Sequence, residues 1–111
     1  MQPCPSHGLT EMVHSLAEFT VKQFYPELEG QYEQWFREVV QRTARLVAHW
    51  QVYGFVHGVL NTDNLSILGL TIDFGPYAFM DRFSPRHVSN HSDKDGRYSY
   101  ANQPKACRFN L

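Results

Sequence analysis

The stretch His57-Gly58-Val59-Leu60-Asn61-Thr62-Asp63-Asn64, followed nine residues after Asn64 by Asp73-Phe74-Gly75, decides how this 111-residue chain is read. It gathers hard oxygen donors: the Asn64 amide and the carboxylates of Asp63 and Asp73. Magnesium wants oxygen ligands in a near-octahedral array, keeps several waters, and takes one or two carboxylates together with substrate phosphates. One Asn and one Asp answer that need. Between them lies Leu65-Ser66-Ile67-Leu68-Gly69-Leu70-Thr71-Ile72, two short apolar stretches rich in strand formers that hinge at Gly69. A tight hairpin over 65–72 is expected, and it would carry Asn64 and Asp73 to the same end.

Order and spacing follow the protein-kinase pattern, in which H-R-D-x-x-x-x-N precedes D-F-G and an Asn oxygen and an Asp carboxylate hold magnesium against nucleotide phosphates. In that alignment His57 is the first residue, and Asn64 and Asp73 are the metal ligands. The position of the kinase's catalytic Asp is Val59, which cannot accept a proton, and the displaced carboxylate is Asp63. Phosphorus chemistry of this kind is mostly positioning and charge neutralisation, so loss of Asp73 is expected to cost more than loss of Asp63. His57 is expected to be structural, bonding backbone near the D-F-G turn, although an imidazole titrates near neutral pH. The plainer alternative is that Asp63 and Asn64 cap a turn and that Asp-Phe-Gly is a chance three-residue match.

From Phe36 to Leu111 the chain resembles the selenoprotein O family, the pseudokinase-fold protein adenylyltransferases. The matching residues are Arg42-Thr43-Ala44-Arg45-Leu46-Val47-Ala48, the run from Gly54 through Asn64, and Gly69-Leu70-Thr71-Ile72-Asp73-Phe74-Gly75-Pro76. They continue in Asn90-His91-Ser92-Asp93, Gly96-Arg97-Tyr98-Ser99-Tyr100 and Gln103-Pro104. The resemblance implies a kinase-like fold that binds ATP inverted, so that AMP moves to a Ser, Thr or Tyr hydroxyl of a protein and pyrophosphate leaves. It implies Asp63 as proton acceptor, and Asn64 and Asp73 as ligands of magnesium or manganese, with Asp73 also lying against the nucleotide. Eukaryotic members of that family are mitochondrial, and a bacterial member would be cytoplasmic. Arg97, Tyr98 and Tyr100 are candidates for lining an acceptor groove.

The fold class expected is α+β, a partial protein-kinase-like C-lobe. It would have two N-terminal helices, a short β-hairpin carrying the catalytic and metal loop, and an irregular C-terminal segment. Residues 1–30 show little resemblance and are read as a separate helical segment, with 31–111 as the partial lobe. An ATP-covering lobe needs a Gly-rich loop, a phosphate-binding Lys and a helix-borne Glu. The seven glycines form no G-x-G-x-x-G, and Lys22, Lys94 and Lys105 avoid strand-like apolar runs. The chain therefore reads as one piece of a larger lobe, with apolar surface left exposed. Three functions stay open: adenylyl transfer, kinase-type phosphotransfer, which Val59 disfavours, and a non-catalytic interaction module.

The first helix is marked by Leu9, Met12, Val13, Leu16 and Phe19 at i, i+3, i+4 spacing and should end before Pro26. A second should span 31–52, its core face carrying Tyr32, Trp35, Phe36, Val39, Thr43, Leu46, Val47 and Trp50. Arg37, Arg42 and Arg45 fall off that face, with Glu38 and Arg42 as an i, i+4 pair. All six glutamates lie at or before Glu38 and all five aspartates at or after Asp63, so helix formers give way to turn formers. Residues 89–102 have no sustained period, and Asp93-Lys94-Asp95-Gly96 reads as a turn.

A net charge of −1 and a pI of about 6.6 set the chain apart from nucleic-acid binders, which show basic clusters and a pI above about 9. No apolar run approaches the roughly 18 residues of a membrane span. Neither kind of partner is expected; ATP and protein substrates are. Cys4 and Cys107 make no disulfide framework and read as free thiols. The pairs Cys4 with His7 and His87 with His91 lack the four-ligand pattern of structural zinc. Residues 1–9 carry no readable targeting signal.

Overall fold

A computed structural model describes residues 6–111. Cys4, and with it the Cys4–His7 pair and the start of the 1–9 stretch, lies outside the described residues. In order, the chain forms helix α1 (Ser6–Phe24), a 3-10 turn (Pro26–Leu28), helix α2 (Tyr32–Tyr53) and strand β1 (Phe55–Val56). A 3-10 turn (Thr62–Asn64), strand β2 (Ala78–Phe79), a 3-10 turn (Tyr100–Asn102) and helix α3 (Gln103–Asn110) follow. The chain divides into two compact units after Glu38. The architecture is mixed helix and small sheet, as the α+β reading expects.

In the first unit α1 stops at Phe24, because Pro26 cannot donate into a continuing helix and restricts the residue before it. Val21 and Tyr25 are buried, whereas the stripe Leu9, Met12, Val13, Leu16 and Phe19 is exposed along its whole length. The rings of His14 and Tyr32 lie 5.7 Å apart.

In the second unit α2 buries Val39, Thr43, Val47 and Trp50, spaced to share one helical face. The inward face is shorter than the sequence pattern suggests: Tyr32 and Phe36, expected in the core, are exposed. Trp50 stacks into a cluster with Val47, Phe55, Leu60 and Cys107, flanked by Leu46, Leu65, Tyr98 and Ala106. The two strands pair antiparallel, Phe55 opposite Phe79 and Val56 opposite Ala78, so the whole motif region becomes one loop closed at its base. Among the described residues no helix is long and apolar enough to cross a membrane.

Two expectations are corrected. The hairpin over 65–72 is reduced to a single antiparallel bridge between Leu65 and Thr71. Ser66 diverts the backbone: its Oγ accepts the Leu68 N–H at 3.1 Å and its carbonyl accepts the Gly69 N–H at 3.1 Å. The turn that results is laid against α2, where a Cβ on Gly69 would stand 2.6 Å from Arg42 Cβ, so the segment rests on a helix instead of extending a ladder.

The end of the chain, expected to be irregular, is the helix α3. Pro104 stands in its first turn, where a missing N–H costs nothing. The polar run before it is ordered by side chains bonding backbone. The Asp93 carboxylate accepts the N–H groups of Arg97 at 2.9 Å and Tyr98 at 2.8 Å, and Asn102 Nδ2 donates to the Gly96 carbonyl at 2.9 Å.

Candidate functional site

Strand β1 delivers His57 into the interior, where it is fully buried between the rings of Trp50 and Phe74, with centroids at 5.7 and 6.1 Å. Its Nδ1 accepts the Val59 N–H at 3.2 Å, so the ring proton sits on Nε2 and is donated to the Asp73 carbonyl oxygen at 2.7 Å. Burial lowers the pKa of this imidazole below its ordinary value, against the opposing pull of that hydrogen bond and of the Asp73 charge. A neutral ring that ties the loop to the Asp-Phe-Gly turn is the structural role the sequence suggests for His57.

Asn64 is buried, and its Nδ2 donates to the Val59 carbonyl at 2.5 Å. With the nitrogen committed, Oδ1 is the atom this side chain has left to offer a ligand. The Leu65–Thr71 bridge, and the Ile72 N–H bonded to the Asn64 carbonyl at 3.0 Å, close the intervening loop. Asn64 and Asp73 therefore come to the same end even without a regular hairpin. Asp63 precedes Asn64 in the 3-10 turn, and the side chains of both aspartates are exposed. Val59 packs against the turn that follows: a Cβ added to Gly75 would lie 3.1 Å from Val59 Cγ2. The position of a kinase base is thus occupied by apolar contact.

Among the described residues no group of three or more His, Cys, Asp and Glu is placed to hold a metal ion. The oxygen set of Asn64, Asp63 and Asp73 has the composition magnesium takes when water and phosphate complete its shell.

Side-chain amides from distant positions hold this loop, and sequence reasoning missed them. Asn90 Nδ2 donates to the Gly58 carbonyl at 3.3 Å and Asn110 Nδ2 to the Leu60 carbonyl at 2.8 Å. Gly58, at φ 94°, leaves no room for a side chain, since a Cβ would meet Ser89 Oγ at 2.8 Å and Pro76 at 3.1 Å. Of the three residues expected at an acceptor groove, Tyr98 donates its hydroxyl to Asn61 Oδ1. Tyr100 is buried with its hydroxyl on the Gln51 carbonyl at 2.5 Å. Arg97 lines an open cleft of about 340 Å³, together with Leu60, Asn102, Lys105 and Phe109.

A family model described as "Protein adenylyltransferase SelO" matches residues 6–111. The chain is similar to the mitochondrial protein adenylyltransferase SelO of Homo sapiens, with 51% identity over 96% of this chain and 17% of the relative. It is similar to the mitochondrial protein adenylyltransferase SelO-1 of Danio rerio, with 54% identity over 96% of this chain and 16% of that protein. It is also similar to the protein nucleotidyltransferase YdiU of Pectobacterium carotovorum, with 53% identity over 91% of this chain and 22% of that protein. The chain spans about a fifth of the length of the curated relatives it matches.

Proposed function

The chain belongs to the SelO family of protein adenylyltransferases, and from that premise we propose that a protein carrying it transfers AMP from ATP to Ser, Thr or Tyr hydroxyls of proteins. In this reading residues 31–111 contribute part of a kinase-like C-lobe. Asp63 takes the proton of the acceptor hydroxyl as its oxygen bonds to the α-phosphorus. The bond from the α-phosphorus to the departing pyrophosphate breaks. Asn64 Oδ1 and the Asp73 carboxylate would hold magnesium, which supplies charge neutralisation to the phosphates.

One observation carries the reading. The loop fixes the Asn64 amide through the Val59 carbonyl and closes so that Asp73 shares its end, while Val59 itself fills the place a kinase gives to its base. Kinase-type transfer of the γ-phosphate has no such support, because the carboxylate it needs is displaced to Asp63.

The test is a chimera in which this chain replaces the matching segment of the human relative, incubated with α- or γ-labelled ATP and magnesium. Transfer of the α-label is expected. Asp63→Ala should lower it by about a hundredfold, within the usual range for a general base, and Asp73→Ala should lower it further. Transfer of the γ-label instead, or α-label transfer indifferent to Asp73→Ala, would overturn the proposal.

A further inference from the structure

We infer that Gln103, the first residue of α3, is a positioning residue that sets His57 and, through it, Asp73. Gln103 is 1% exposed, and both ends of its amide are bonded. Oε1 accepts the His57 backbone N–H at 2.9 Å, while Nε2 donates to the Phe55 carbonyl at 2.8 Å and to Gln51 Oε1 at 2.7 Å. A Phe55 carbonyl and a His57 N–H, flanking Val56 at the end of β1, are the pair that the N–H and C=O of a single residue on a neighbouring parallel strand would engage. The Gln103 side chain does the work of that missing residue's backbone. Strand β1 is only two residues long and pairs with β2, so this amide gives it a further hydrogen-bonded partner where the backbone offers none.

His57 is held through its backbone by Gln103 and presents its Nε2–H to the Asp73 carbonyl at 2.7 Å. Gln51 anchors the same amide to α2 and donates its own Nε2 to the Tyr100 carbonyl at 3.1 Å, so the clamp joins α2, β1 and the start of α3. Functional geometry depends on such supporting hydrogen bonds as much as on the groups that touch a ligand. The importance given to Asp73 rests on the proposed function; the clamp does not.

The experiment uses the chimera in which this chain replaces the matching segment of the human relative, isotopically labelled within that segment. In Gln103→Met, which keeps length and apolar bulk but forms none of these three bonds, exchange of the His57 Nε2 proton should accelerate by about tenfold, the effect of losing the one among them that holds His57. The Asp73 amide resonance should shift, and the midpoint for its response to magnesium and ATP should rise by a similar factor. Gln51→Leu, which loosens the clamp from α2 without opening the strand edge, should move the same signals by about threefold and serves if Gln103→Met does not fold. An unchanged His57 ring proton in a folded variant would overturn the inference, as would faster ring exchange with an unaltered magnesium response. An otherwise unaltered chimera whose Asn64 and Asp73 signals ignore magnesium and ATP would sink the site assignment instead, and the ring proton, read without metal, would still decide the clamp.

Discussion

Replacing Gly69 by Ala tests how the loop between Asn64 and Asp73 is built. Gly69 sits at φ 74°, in the left-handed region, where an L side chain costs roughly 1–2 kcal/mol. The new Cβ would stand 2.6 Å from Arg42 Cβ and 3.1 Å from the Arg42 carbonyl carbon and oxygen. Carbon atoms rest about 3.5–4.0 Å apart, so the loop must retreat by about 1 Å. The obstruction is helix backbone and the first side-chain carbon, which no rotamer change removes. Overpacking of this kind costs about 1–3 kcal/mol.

The two contributions together give a loss of roughly 2–5 kcal/mol, a large part of the 5–15 kcal/mol typical of a domain. Urea unfolding followed by tryptophan fluorescence measures it. With an m-value of about 1–3 kcal/mol per molar, the midpoint should fall by about 1 M or more with m unchanged, and the Asn64 and Asp73 amide resonances should shift. A loss under about 0.5 kcal/mol, the range of ordinary surface changes, would show that the loop does not rest on α2 and would refute the account of why the hairpin is truncated.

Two further predictions concern pH in the metal-free chain. His57 has a folded pKa below its ordinary 6.5, so on acidification the unfolded chain takes up a proton that the folded one refuses. Stability should be fully present above pH 6.5 and fall below it, by up to about 1.4 kcal/mol per pH unit. A His57→Phe variant with the same slope between pH 7 and 5 would contradict this. Burial raises the Cys107 thiol above its ordinary 9.0, so the unfolded chain ionises first as pH rises. Stability should therefore decline above pH 9, and alkylation of Cys107, read by mass spectrometry of the native chain at pH 8.5, should be slower than in urea. Equal rates would mean the thiol is not buried.

Much of this was legible in the sequence because it is periodic or local. The apolar spacing of α1 and α2, the stop before Pro26, and the shared end of Asn64 and Asp73 follow from patterns that neighbouring residues make together. The helix α3 was not legible: its eight residues, Gln103–Asn110, are too few for a helical period to stand out after a polar run. The division of labour among Arg97, Tyr98 and Tyr100 was also hidden, since three nearby residues on an aperiodic loop face a cleft, Asn61 and the core respectively. Gln103 matched the family without announcing a role, because its partners lie 46 to 52 residues away and a hydrogen bond at that separation leaves no periodic trace.

The chemistry of those distant partners explains why the site can be both rigid and negatively charged. The carbonyls of Phe55, Gly58, Val59 and Leu60 each accept a side-chain amide, from Gln103, Asn90, Asn64 and Asn110 in turn. Two-residue strands supply few ladder bonds, so these amides take over the fixing of the loop. Losing one would leave a backbone group unsatisfied at a cost of about 1–3 kcal/mol where it is buried. Lysine or arginine could satisfy the same carbonyls, but their charges would offset Asp63 and Asp73 and compete with a bound cation. Neutral amides hold the backbone without touching that field. In the proposed function they leave the two carboxylates to act on metal and acceptor alone.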